Sequence, residues 1–225
     1  MHNVILLGIQ GSGKGTQSDL ISARLGIPTV TLGKLLREEV SLGTGLGRTI
    51  AEYQSKGELV PADIVDQVMR GRLGEEDVVG GVILDGFPRS LEQAEALDKI
   101  FGDLGRETTH VIHLKISDTE ALRRLTGRRV CTNNKCETNY NIESNPPKGD
   151  PNTCDRCGSK LEQRKDDTAE AIKRRIEIYH KETEPLIEFY RNHEKVHAGH
   201  VVFHEVHGER SIAEVSSELA EVLGD

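Results

Sequence analysis

The sequence predicts an α/β fold built on a doubly wound parallel sheet with two insertions. Three observations predict it. An apolar run (Val4, Ile5, Leu6, Leu7) leads through a Gly-rich loop into a helical pattern over 19–25. Short apolar, β-rich runs then recur at 28–31, 82–84, 111–116 and 201–206, separated by helical or inserted sequence. Continuous apolar strands joined by long crossovers are the mark of a parallel sheet covered on both faces, with ligands at the carboxyl ends of its strands. Finally, segments 31–61 (helical, Gly-punctuated) and 127–164 (rich in Asn, Pro, Gly and Cys) break the alternation, as lids and binding loops do.

The composition sets wide bounds. A chain of 225 residues with 36% hydrophobic content can bury a substantial core and is expected to fold alone, as a monomer. With 29 Lys plus Arg against 37 Asp plus Glu, the net charge of −8 argues against coating nucleic acid and leaves room for local basic pockets. A strand begins within three residues of the start and no run approaches 18 apolar residues, so neither a signal peptide nor a membrane span is expected. The expected compartment is the reducing cytoplasm. All four cysteines fall between 131 and 157, a clustering that suits a metal site better than disulfides.

Taken in order, the first strand delivers the chain to Gly8-Ile9-Gln10-Gly11-Ser12-Gly13-Lys14-Gly15-Thr16. Glycines let successive N–H groups turn onto phosphate oxygens, Lys14 adds a charge that reaches the outer phosphates, and the Thr16 hydroxyl at the helix start can hold magnesium. Gly15, between Lys14 and Thr16, departs from the usual spacing of the P-loop. The next strand with chemistry is Val82-Ile83-Leu84, ending in Asp85-Gly86-Phe87-Pro88-Arg89. An acid at a strand terminus can face the magnesium, often through water. Arg124 and Arg128, four apart, read as one helix face, and Arg164 and Arg175, eleven apart, share a face if their helix begins early. Cys131-x4-Cys136 and Cys154-x2-Cys157-Gly158 pair four thiolates in a pattern for tetrahedral zinc, and four Cys ligands leave no open position for catalysis. Ser211 and Glu214 form a capping box before Ile212, Val215, Leu219, Val222 and Leu223 at helical spacing.

The loop ending Gly13-Lys14-Gly15-Thr16-Gln17, the run Asp85-Gly86-Phe87-Pro88-Arg89 with Gln93 beyond it, and Arg164-Lys165-Asp166-Asp167 together resemble the adenylate kinases of the long-lid type, across essentially the whole chain. The resemblance implies a P-loop NTPase core (1–30, 62–126, 165–225), an NMP-binding segment (31–61) and a zinc lid (127–164). It implies reversible transfer of the γ-phosphoryl of ATP to AMP, giving two ADP, with magnesium as cofactor and structural zinc in the lid. By the same resemblance Gly11, Ser12, Gly13, Lys14, Gly15, Thr16, Arg124, Arg128 and Arg210 bind ATP. Leu32, Arg37, Val60, Gly86, Arg89, Gln93, Arg164 and Arg175 bind AMP, with Gln93 reading the base. Lys14, Arg89, Arg128, Arg164 and Arg175 carry catalysis, Thr16 and Asp85 hold magnesium, and Cys131, Cys136, Cys154 and Cys157 hold zinc. Phosphoryl transfer onto an anionic oxygen needs positioning and positive charge more than a general base, which suits arginines.

Departures bear on the acceptor. Leu32-Gly33-Lys34 stands where the family reads Thr-Gly-Asp, Gln10 replaces a common Pro, and Ala62 with Asp63 shifts an acid by one place. A kinase for GMP, UMP or CMP is therefore the alternative. A zinc-ribbon nucleic-acid-binding nucleotide sensor is a further one, disfavoured because 127–164 carries only Tyr140 among aromatics and the chain is acidic. His193, His197 and His200 read as a solvated helix end.

Overall fold

The structure, a computed structural model, describes residues 1–56, 58–133, 136, 138–164, 167–196 and 201–224, without the side chains of 193–196. Lys165 and Asp166 of the motif above, and His197 and His200, lie outside the described residues, as does the His193 side chain. In chain order the elements are β1 (His2–Leu7), α1 (Lys14–Leu25), β2 (Thr29–Thr31), α2 (Leu32–Ser41), α3 (Gly45–Lys56), α4 (Ala62–Leu73), β3 (Gly81–Asp85), α5 (Leu91–Asp103), β4 (His110–Lys115), α6 (Asp118–Thr126), β5 (Arg128–Cys131), β6 (Asn139–Asn141), β7 (Leu161–Glu162), α7 (Ala169–Ile178), α8 (Pro185–Val196), β8 (Val202–His207) and α9 (Ile212–Leu223).

The main sheet has the order β2-β3-β1-β4-β8, and every pairing is parallel. Strands after β1 are added first on one side and then on the other, so a crevice opens at the carboxyl end of β1. Register fixes what faces it: Leu6 pairs with Asp85, setting that carboxylate beside the loop that begins at Gly8. The sheet is apolar on both faces. Val4, Leu6, Ile83, Ile112 and Leu114 pack under α1 and α9, while Ile5, Leu7, Leu84 and Val111 pack beneath α4, α5 and α8. This two-sided burial is why the strands read as unbroken apolar runs.

The three-stranded antiparallel sheet β6-β5-β7 lies wholly within 127–164, and α2 and α3 lie within 31–61. Two expectations about helices are corrected here. Arg124 is on α6, but Arg128 is on β5, because the helix ends at Gly127. There the Asn141 side chain donates to the Arg124 carbonyl at 2.8 Å and a Cβ on residue 127 would meet Asn141 at 3.1 Å. Arg164 likewise precedes α7, whose N-cap is Thr168, accepting from the Ala171 N–H, so Arg164 and Arg175 share no helix face. The capping box of α9 forms as expected, with Ser211 and Glu214 each satisfying the other's backbone.

Between α7 and α8 the chain widens into one π-type turn, Tyr179–Thr183, closed by the Glu184 N–H on the Tyr179 carbonyl at 2.8 Å. Pro185 follows directly; it has no N–H to donate, and its ring crowds the carbonyl four residues back, so the preceding turn opens.

Gly8 shows how tightly loop and sheet approach. Its φ is +142°, and a Cβ there would lie 2.5 Å from the Leu114 carbonyl oxygen. Gly13, at φ +101°, has open space around a Cβ. Gly8→Ala is therefore expected to cost about 2 kcal/mol or more, and Gly13→Ala only the backbone strain of about 1 kcal/mol. Urea unfolding checks both: the midpoint should fall further for Gly8→Ala, at unchanged slope.

Candidate active site

A cleft of about 1010 Å³ opens at the carboxyl ends of the strands. One wall is the loop 8–16. Gly11 and Gly13 take φ of +87° and +101°, conformations that turn neighbouring N–H groups inward. The first turn of α1 has no side-chain cap and no acidic residue, which leaves its N–H groups for an anion. Ser12 Oγ is buried without a hydrogen-bond partner, as a phosphate cradle requires. Lys14 Nζ folds back to donate to the Gly8 and Ile9 carbonyls at 2.6 and 3.0 Å. Burial lowers its pKa to about 8; Asp85 opposes that shift, and Arg89 and Arg128 add to it.

Gly15 sits with its Cα hydrogen toward Asp85: a Cβ there would lie 3.8 Å from Asp85 Oδ2. Thr16 and Asp85 line the same cleft. One hydroxyl and one carboxylate suit magnesium that keeps several waters and takes its other ligands from phosphates.

Facing the loop is a group of arginines. Arg128 donates to both oxygens of Asp167, from Nε at 2.8 Å and Nη2 at 2.7 Å, and Arg175 donates to Asp167 Oδ1 at 2.7 Å. The Asp167 side chain is 0% exposed. Arg89 is held by its Nε on the Gly86 carbonyl at 2.8 Å, its N–H on Gln93 Oε1 at 2.7 Å and Thr183 Oγ1 on its carbonyl at 2.8 Å. Burial lowers the pKa of Arg89; Asp85 opposes this and Arg175 adds to it. Arg164 lines the cleft from the lid side. Cations turned toward one another in a half-buried cleft call for a polyanion.

Arg124 ties three elements together, through Glu120 at 2.6 Å, the Gly208 carbonyl at 2.9 Å and the Gly11 carbonyl at 3.5 Å. Glu120 is pulled down to about 2, first by its hydrogen bond from Arg123 and, against burial, by Arg124. Arg210 reaches Glu218 and the His207 carbonyl on the cleft's far rim.

The acceptor residues divide. Arg37, Gly86 and Arg89 line the large cleft, while Val60 and Gln93 line a second cavity of about 730 Å³. Leu32 lines neither cavity. It packs into the core with Leu36 and Ile50, because helical spacing puts Leu32 and Leu36 on the buried face of α2 and Gly33 and Arg37 on the cleft face. Sequence reasoning assigned no role to Asp167, Glu120 or Thr183. Glu120 had a signal, standing four residues before Arg124 on α6; the pairing of Asp167 with Arg128 spans 39 residues and had none.

In the lid the four cysteine Sγ atoms lie within 4.8 Å of one another. Cys131 and Cys157 are 3.4 Å apart and Cys136 and Cys154 3.8 Å. Tetrahedral zinc with ~2.3 Å bonds spaces its sulfurs by about 3.8 Å, so the set fits that ion. Knuckle turns hold each pair: the Cys136 N–H bonds the Asn133 carbonyl at 2.8 Å, and the Gly158 N–H, at φ +73°, bonds the Cys154 carbonyl at 2.8 Å. Among the described residues the lid's buried apolar cluster is Cys131, Tyr140, Cys154 and Leu161, little apolar surface with which to hold its shape.

Two outcomes are expected. Asp167→Ala removes the buried carboxylate that two guanidinium groups share, and should cost about 3 kcal/mol in thermal or denaturant unfolding, with Asp167→Asn losing less. For Lys14, the folded pKa of about 8 lies below the ordinary 10.5. The free protein therefore sheds the charge that phosphate needs as pH rises through 8, and triphosphate affinity, read by calorimetry, should fall by up to about tenfold per unit above it. Folding stability from this group moves the other way, rising between about pH 8 and 10.5, because there the unfolded chain holds more protons.

Comparison with known proteins agrees with this geometry. Residues 6–195 match the family model described as adenylate kinase. An adenylate kinase of Caldicellulosiruptor saccharolyticus is 42% identical over 221 residues, covering 98% of each chain. That of Bacillus licheniformis is 40% identical over 222 residues, covering 99% of this chain and 98% of its own. That of Archaeoglobus fulgidus is 42% identical over 221 residues, covering 98% and 97%. A cleft that pairs a phosphate loop with converging arginines, in a chain alike to these over nearly its full length, is that of a nucleoside monophosphate kinase, and the chain belongs to the adenylate kinase family.

Proposed function

We propose that the protein catalyses reversible, magnesium-dependent phosphoryl transfer from ATP to AMP, giving two ADP and balancing the adenine nucleotides, as a cytoplasmic monomer. The observation that carries this reading is the convergence of Lys14, Arg89, Arg128 and Arg164 on one cleft that Asp85 also lines, with Arg175 behind them on the Asp167 carboxylate it shares with Arg128. No helix among the described residues is long and apolar enough to cross a membrane, in keeping with that setting.

Loop 8–16 and the α1 N-terminus hold the β- and γ-phosphates of the donor, with Arg124 and Arg210 on the rim beside it. Arg37 and Arg89 hold the acceptor phosphate, and Gln93, whose carboxamide has a donor beside an acceptor, reads the base. The attacking oxygen is already an anion, so no side chain removes a proton; Lys14, Arg128, Arg164 and Arg175 offset the charge gathered in transfer and hold the groups in line. Thr16 and Asp85 would hold magnesium, which supplies charge neutralisation across the donor phosphates. Segments 31–61 and 127–164 close over acceptor and donor, and the zinc site keeps the second rigid. Zinc serves folding and not chemistry, since four thiolates leave it no open position.

A coupled assay for ADP with AMP, GMP, UMP and CMP tests the assignment. AMP is expected to be the preferred acceptor, activity to vanish without magnesium, and Lys14→Ala to lower turnover by about a thousandfold or more with the fold intact. Absence of ADP with every acceptor, from magnesium- and zinc-replete protein, would overturn the reading.

A further inference from the structure

The cysteine cluster is not bare toward the cleft. Thr138 Oγ1 lies 3.0 Å from Cys136 Sγ, and Tyr140 Oη lies 3.5 Å from Cys154 Sγ. Thr138 immediately precedes β6 and Tyr140 is the middle residue of that strand, and the two-residue spacing of extended chain turns both hydroxyls to the side of the sulfurs. Tyr140 Oη also accepts the Asp155 N–H at 2.9 Å, which directs its own proton to the sulfur. A thiolate can only accept, so with metal bound both hydroxyls act as donors. Thr138 and Tyr140 also form part of the wall of the nucleotide cleft.

A zinc ion with four thiolates carries two net negative charges, beside a cleft shaped for a polyanion. Hydroxyl donors draw charge off the sulfurs, and Arg156, between Cys154 and Cys157, also lines the cleft. We infer that Thr138 and Tyr140 are the outer shell of the metal centre, positioning residues that donate to Cys136 and Cys154 and join the zinc knuckles to the nucleotide wall. The inference rests on the zinc reading proposed above and concerns the metal, not the reaction.

The test uses the full-length protein loaded with zinc, or with cobalt(II) as a spectroscopic substitute, in wild type, Tyr140→Phe, Thr138→Val and Thr138→Ser. Removing a donor should weaken zinc binding about 10- to 100-fold in competition with a chromogenic chelator. It should also move the sulfur-to-cobalt charge-transfer band to longer wavelength, because an unbonded thiolate gives up its electron more readily. Thr138→Ser should retain wild-type affinity and band position. A general loss of lid packing would not shift the band for Thr138→Val while sparing Thr138→Ser, so that pair decides even if Tyr140→Phe fails to fold. Unchanged affinity and spectrum in Tyr140→Phe and Thr138→Val would overturn the outer-shell role with the metal site intact. Wild type that binds neither zinc nor cobalt would overturn the metal reading itself, and this inference with it.

Discussion

The structure depends on holding positive charges close together before any phosphate arrives. Lys14, Arg89 and Arg128 face one cleft with Arg175 close to Arg89 outside its lining, and burial with mutual repulsion lowers the pKa of Lys14 and Arg89. Asp167, fully enclosed, holds two of the guanidinium groups at once, one from β5 and one from α7. A single carboxylate thereby fixes the base of the lid to the helix that returns from it. Arg128, held through Nε and Nη2, also lines the cleft.

Around this charge arrangement the sheet does the placing. The strand order puts the phosphate loop at the point where the winding changes sides, and the parallel register delivers Asp85 beside it. The π-type turn before Pro185 adds a third anchor. It presents Thr183 to the Arg89 backbone and Tyr179 to His113, whose Nε2 lies 3.3 Å from the tyrosine hydroxyl. His113 in turn meets Glu205 of β8 at 3.2 Å, so the helix carrying Arg175 is tied to the floor of the sheet by polar contacts as well as by packing.

The lid solves a different problem. Among the described residues its buried cluster is four side chains, Cys131, Tyr140 and Leu161 from the three short strands and Cys154 from the loop between β6 and β7. The four cysteines gathered within 4.8 Å are placed to take over from the missing core, and the free energy of a metal bound there would be folding free energy for this segment. Arg128 and Arg164 stand at the two ends of this segment, and both line the cleft.

The sequence by itself determined the alternation of strands and helices, the phosphate loop, the four-cysteine pattern and the capping box of α9. Each of these is local: apolar period, glycine placement, ligand spacing and a three-residue reciprocal bond are all written within a dozen residues or in paired clusters. The reading failed where helices end and where side chains turn. Arg124 and Arg128 have helical spacing, yet Asn141 caps the helix from across the lid hairpin and sends Arg128 into a strand. Leu32 occupies an acceptor-site position by resemblance, yet the period of α2 turns it to the core and Arg37 to the cleft. Only the tertiary structure decided that Asp167 is the shared counter-ion, that Gln93 braces the Arg89 backbone, and that Thr138 and Tyr140 back the cysteines. These pairings depend on which segments the folded chain brings together, and for the Asp167 and Arg128 pair no local period encodes a contact 39 residues apart.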